Sequence, residues 1–289
     1  MEFLNYNIAG HNFVIETPNS AVTRSLIPSF NPFFVDNEVE NNNILFSFIG
    51  NRHIVLPQTD PVDFINIDGI SFKVFIEGGI MTVSMKEKVM EQHFQLTTDS
   101  NIVWTDLTLI NKREDNIINY FLRTVFGIFS AYHKTLKIHA SVIEKNGKAL
   151  IFLGKSGTGK STHSKLWQEF IPGCSLLNDD EPLIRLMNDG TIKVFGAPWS
   201  GSTPCYRNIS AEVSTFVHLH QSTENRLTKL NGLTSFSSLL QSTAVMRSDS
   251  KNRSMIISMI NDILEKIPVY RLDNRPDREA VALTETLLV

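Results

Sequence analysis

The first third of the chain alternates apolar and polar positions with a period of two, the mark of strands with one buried face. Residues 3–8 and 12–16 flank Ala9-Gly10-His11, which predicts a hairpin. A short helix is expected at or near the cap Ser20, ended by Pro28 and Pro32. Residues 44–49 are apolar enough for a strand. Residues 64–67, 71–77 and 80–85, broken at Asp68-Gly69 and Gly78-Gly79, predict an antiparallel meander, and residues 94–97 and 102–109 add strands.

The period changes at Arg113. Between Glu114 and Tyr132 the apolar residues Ile117, Ile118, Phe121, Leu122, Val125, Ile128 and Phe129 fall at helical spacing. Residues 137–143 then predict a strand that carries His139, and a tight turn at Asn146-Gly147 leads into a fully apolar strand over 149–153. Further helices are expected over 162–170, 235–246 (ending at Met246), 254–266 and 277–288, with a strand over 268–272. The switch of period divides the chain into a β-rich domain over 1–112 and an α/β domain over 113–289.

Composition narrows the class. The 289 residues are 42% hydrophobic and 20% charged, which excludes a disordered chain. A net charge of −3 and a pI near 6.2 give no overall attraction to nucleic acid or to an anionic membrane, so neither is an expected partner. Two cysteines, no basic-then-apolar leader and no long apolar run together point to the cytoplasm.

Residues 154–161, Gly154-Lys155-Ser156-Gly157-Thr158-Gly159-Lys160-Ser161, fit the phosphate-loop pattern G-x-x-x-x-G-K-[ST]. Glycines let the backbone turn its N–H groups inward as a nest for phosphate oxygens. The helix that follows, from Thr162, adds its positive end. Lys160 is expected on the β- and γ-phosphates and Ser161 on Mg²⁺. An apolar strand before the loop and a helical pattern after it match the context the motif requires.

Asn178-Asp179-Asp180-Glu181 closes a short apolar stretch. Three adjacent acids are costly to bury together unless a cation is near. Neighbouring side chains on a strand point to opposite faces, so Asp179 and Asp180 are free to take different roles, one on a metal and one on an acceptor hydroxyl. His139 precedes the loop strand in the same hairpin. It is a candidate metal ligand or proton carrier, or a structural histidine.

Together, His139-Ala140-Ser141, the Asn146-Gly147 turn, the loop through Thr162 and Asp179-Asp180-Glu181 resemble the superfamily of HPr kinase/phosphorylase and phosphoenolpyruvate carboxykinase. The resemblance spans residues 137–230, with 268–288 similar to the end of HPr-kinase-related domains; residues before 113 carry none. It implies a mixed α/β sheet around a P-loop, ATP or a related nucleotide, Mg²⁺ or Mn²⁺, phosphoryl transfer and a homo-oligomer. Residue by residue it implies nucleotide contacts at Gly154, Ser156, Gly157, Thr158, Gly159, Lys160, Ser161 and Thr162. It puts Asp180 and His139 with Ser161 on the metal, Asp179 as the base, and Arg207 on a phosphate. The Glu, Arg and Gly that follow the Asp pair in HPr kinases are replaced here by Pro182-Leu183-Ile184-Arg185. HPr as acceptor and the reverse phosphorylase reaction are therefore not implied. The chain is also too short to hold a carboxykinase's extra lobe.

The expected activity is thus an ATP-dependent kinase acting on a hydroxyl of a protein, peptide or small metabolite, with the N-terminal domain serving recognition or assembly. The alternative from another class is a nucleotide-binding regulatory or accessory protein without kinase chemistry; the paired acids count against it. A GTPase-type hydrolase is weaker, since no N-K-x-D motif follows the acids.

Overall fold

In the computed structural model, which describes residues 1–37, 43–67, 69–97, 99–201, 203–245 and 249–288, the chain is α/β with two large mixed sheets. The expected turn at Asp68 and the expected helix end at Met246 lie outside the described residues. The chain divides into two compact units, Met1–Ser130 and Ala131–Val245 with Lys251–Val289. No helix among the described residues is long and apolar enough to cross a membrane.

The first unit holds β1 (Glu2–Ile8), β2 (His11–Thr17), α1 (Ser20–Leu26), β3 (Phe34–Val35), β4 (Ile44–Ile49), β5 (Asp63–Ile67), β6 (Ile70–Glu77), β7 (Ile80–Glu87), β8 (Met90–Thr97), β9 (Ile102–Thr105) and α2 (Asp115–Ala131). Ala9 and Gly10 both take positive φ, 53° and 76°, the two-residue turn whose twist matches a hairpin. The cap of α1 is Asn19, not Ser20: its Oδ1 accepts from the Val22 N–H at 3.0 Å. Pro28 does not simply stop the chain but opens a 3₁₀ turn over Pro28–Phe33, where a missing N–H costs nothing.

The sheet runs β3-β1-β2-β4-β9-β8-β7-β6-β5. Helix α2 covers it with phenylalanines: Phe121 meets Phe94 at 4.8 Å between ring centroids, Phe126 meets Phe13 at 6.2 Å and Phe129 meets Phe46 at 5.6 Å. This is why the units divide at Ser130 and not at residue 113. The helical pattern begins where expected, but its apolar face belongs to the strands before it.

The second unit holds β10 (Thr135–Lys137), β11 (Ala140–Lys145), β12 (Lys148–Leu153), α3 (Lys160–Phe170), β13 (Ser175–Asp180), β14 (Leu183–Leu186), β15 (Ile192–Phe195), β16 (Ser210–Gln221), β17 (Arg226–Lys229), α4 (Leu233–Ser242), α5 (Ser250–Leu264), β18 (Val269–Asn274) and α6 (Arg278–Glu285). The strand order is β10-β14-β15-β16-β12-β11-β13, with β18 joined to β16 and β17 to β18. One face packs on α4 and α5 through Ile151, Leu153, Phe216, Leu239 and Ile260. The other packs on α3 and α6 through Phe152, Val217, Leu219, Trp167 and Ala280. Alternation along β12 and β16 supplies both layers, as in sheets buried on both sides.

The stretch read as a single strand over 137–143 is broken at Ile138-His139. Ala140 pairs with Asp180 and Lys137 with Leu183, so β11–β13 and β10–β14 are one antiparallel ribbon, in phase across a kink. Pro182, which has no N–H to give, sits at the kink, and Asp180 beside it takes φ 144°. The interruption leaves His139 outside the ladder, beside the point where Asp180 ends β13.

Candidate functional site

Strand β11 is antiparallel to both β12 and β13. Its start therefore lies at the sheet edge where β12 and β13 end. That topology brings His139, the loop after Leu153, and the Asp pair to one place, from three separate stretches of sequence.

The loop conformation depends on its glycines. Gly157 and Gly159 take φ 80° and 101°, and a Cβ built at either meets no atom within 4 Å. Backbone geometry and not crowding selects glycine there, and the space above the loop is open. Lys155, Ser156 and Gly157 are exposed; Thr158 ties the loop to itself, its hydroxyl donating to the Lys155 carbonyl at 2.8 Å. Helix α3 starts at Lys160, so Lys160, Ser161 and Thr162 form its first turn, where backbone N–H groups have no intrahelical partner. The helix is pinned from behind by the buried Ser141–Ser164 hydroxyl pair at 2.7 Å and by Trp167 Nε1 donating to Thr284 Oγ1 at 3.0 Å.

Lys160 is only 8% exposed. Its Nζ donates to the Gly154 carbonyl at 2.8 Å and the Lys155 carbonyl at 3.3 Å, and lies 3.0 Å from His139 Nε2. Burial lowers its pKa, while the Asp180 and Asp179 carboxylates pull it back up. An ammonium donating to Nε2 leaves the ring proton on Nδ1, which faces Asp180 Oδ1 at 3.1 Å. Both ring nitrogens of His139 are therefore engaged.

Each acid of the run has its own partner. Ser161 Oγ donates to Asp179 Oδ1 at 2.9 Å, Asp180 faces His139, and Glu181 pairs with Lys137 at 3.1 Å, both of the last two side chains about 10% exposed. The three residues expected together on a metal are thus split: Ser161 meets Asp179, and His139 meets Asp180. Lys137 was not anticipated as part of this cluster; its place there comes from pairing with Glu181. The 196–201 loop closes the cluster from below. Ser200 Oγ donates to the Asp179 carbonyl at 3.1 Å, and the Gly201 N–H donates to the same oxygen at 2.7 Å.

Arg207 is not brought to the cluster. Its Nη1 donates to Ser175 Oγ at 2.9 Å and to the Leu176 carbonyl, at the other end of β13. Four residues of strand, about 13 Å, separate Leu176 from Asp180.

Behind the loop, His163 on α3 is 1% exposed, its ring 4.7 Å from Phe152. Burial lowers its pKa to about 4. The unfolded chain thus takes up this proton first, near pH 6.5, and the folded chain resists it until about 4. The stability His163 contributes is present above pH 6.5 and drains away as pH falls towards 4. Between pH 7.5 and pH 5 the unfolding free energy should drop by about 2 kcal/mol more in the parent protein than in His163→Leu. Urea midpoints at the two pH values measure this, and parallel shifts in both proteins would refute it.

Among known proteins, the family model for the SynChlorMet cassette protein ScmC matches residues 103–275, more than half of the chain and the whole of the cluster just described. The Hpr(Ser) kinase/phosphatase from Coxiella burnetii is similar over 52% of this chain and 87% of its own, at 14% identity and a TM-score of 0.32, a likeness too slight to decide fold or function. No curated protein matches. On the extent of the family match, the chain belongs to the SynChlorMet cassette protein ScmC family.

Proposed function

We propose that this ScmC family member is a metal-dependent phosphotransferase that binds ATP or a related nucleotide on the 154–161 loop and moves its terminal phosphoryl group to a hydroxyl. The observation that carries the reading is the convergence of Lys160, the Ser161–Asp179 pair and the His139–Asp180 pair beside an open, glycine-shaped loop. A loop that only packs needs neither a buried cation nor two carboxylates at its mouth.

The residues fit a hard divalent cation. Ser161 and Asp179 offer neighbouring oxygen donors, and Mg²⁺ is ordinarily held by one or two carboxylates with substrate phosphates completing the shell. When bound, the cation supplies charge neutralisation for the phosphates.

The protein's own groups divide the remaining work. Lys160 leaves its loop carbonyls for the phosphate oxygens. Asp180 is the acceptor-side carboxylate that takes the hydroxyl proton, and His139 positions it against Lys160. This reverses the assignment implied by the family resemblance, because Ser161 pairs with Asp179 and not with Asp180. Transfer then depends on positioning and charge.

The test is incubation of the purified chain with γ-labelled ATP, Mg²⁺ and fractionated cell extract. Label is expected to move to an acceptor with the intact protein and not with Lys160→Ala. Tight nucleotide binding with no transfer to any fraction would favour a regulatory role.

A further inference from the structure

The loop has two flanks. On one side of β12 stand β11 and β13 with His139 and the acids. On the other stand β16, parallel to β12, and β18, parallel to β16. Their carboxyl ends share the edge from which the loop rises, and ligands of open α/β sheets lie outside such ends. Gln221, the last residue of β16, donates from Nε2 to the Gly157 carbonyl at 3.3 Å, so this second flank touches the loop directly.

In this pairing His218 stands opposite Arg271 and His220 opposite Asp273. Strand alternation places all four side chains on one face. Asp273 Oδ1 accepts from Arg271 Nε at 2.9 Å and from Arg271 Nη2, and lies 2.9 Å from His220 Nδ1, to which the same Nη2 donates at 3.2 Å. Among the described residues, the hydrogen bonds to this carboxylate all fall on Oδ1, and Oδ2 takes none. The side chain of Asp273 is 14% exposed, against 58% for His220 and 45% for Arg271. A carboxylate gripped by one oxygen and open at the other is a fixed acceptor for hydroxyl groups. Its ordering cost is met before a ligand arrives. It disfavours phosphate, since its negative charge faces outward and its arginine is already engaged. The same neighbourhood reaches the loop: burial holds His218 below the ordinary imidazole range, with the charges of Arg271, His220 and Lys160 adding to the effect.

We infer that Asp273 reads the ribose hydroxyls of the bound nucleotide, held for that purpose by Arg271. The inference rests on the nucleotide reading above: terminal phosphates that face the acids on the β13 flank direct the nucleoside to the β16–β18 flank. A vicinal diol supplies the O–H donors that Oδ2 lacks.

Calorimetric titration of the full chain with Mg²⁺ and four probes tests it: ATP, its 2′-deoxy and 3′-deoxy analogues, and inorganic tripolyphosphate. In Asp273→Asn the amide oxygen still accepts from Arg271, but an NH₂ replaces Oδ2. ATP affinity should fall about tenfold or more, the worth of one hydrogen bond to a charged group, while tripolyphosphate affinity stays unchanged. At least one deoxy analogue should bind the unmodified protein as weakly as ATP binds the variant, a readout independent of how the variant folds. Equal affinity for ATP and both analogues, or an equal loss of ATP and tripolyphosphate in the variant, overturns the ribose assignment and leaves the loop reading intact. Failure of the unmodified protein to bind either ATP or tripolyphosphate overturns both.

Discussion

Lys160→Ala should abolish nucleotide turnover, lowering the rate by about a thousandfold or more. The ammonium is buried at the loop, within reach of the Gly154 and Lys155 carbonyls, His139 and, electrostatically, both aspartates. Alanine removes the charge proposed to meet the phosphates and also the hydrogen bond to the His139 ring. The cost to folding should be about 1 kcal/mol for each hydrogen bond lost to the loop carbonyls. Initial rates of label release from γ-labelled ATP, with a thermal melt as the folding control, separate the two effects. Turnover at the parent rate in a folded variant would sink the phosphotransferase reading.

The two aspartates should fail differently. With Asp180→Asn, phosphoryl transfer is expected to fall by about a hundred- to ten-thousandfold, the usual worth of a general base, while nucleotide affinity and the Mg²⁺ requirement stay close to the parent values. With Asp179→Asn, the Mg²⁺ concentration for half-maximal rate should rise by at least about tenfold, because Asp179 is the carboxylate that meets Ser161. Rates measured across a Mg²⁺ series at saturating ATP discriminate the two. The opposite pattern would restore Asp180 to the metal and Asp179 to the base.

What could be read from the chain beforehand was what is local. The loop with its flanking strand and helix, the Ala9-Gly10 hairpin and the helix carrying Phe121 all state their structure within a dozen or so residues. The site needed more. Its pairs join residues 18, 21 and 41 positions apart in the chain, and no periodicity reports which aspartate meets Ser161. The kink between β10 and β11 was hidden for a related reason. Residues 137–143 have strand composition throughout, and the interruption is imposed from the partner strand by Pro182 and Asp180. Strand β16 was not anticipated, although it pairs with both β12 and β18; Ser214 and Thr215 interrupt its apolar alternation. The unit boundary followed from tertiary contact as well. A helix pattern states that one face is buried and not which sheet buries it. The same holds for Arg207, whose sequence neighbourhood says nothing about Ser175, the residue it reaches.

Lys160 already satisfied by its own loop has an energetic consequence. On the phosphotransferase proposal, nucleotide binding at this loop is an exchange: each carbonyl the ammonium gives up is replaced by a phosphate oxygen, so the number of hydrogen bonds barely changes. The gain must come from formal charge, a polyanion taking the place of neutral dipoles in a partly buried setting. Neutral or singly charged competitors have little to offer in that trade. On that proposal, a resting loop that acts as its own weak ligand filters for phosphate chains, before any contact with the rest of the nucleotide is made.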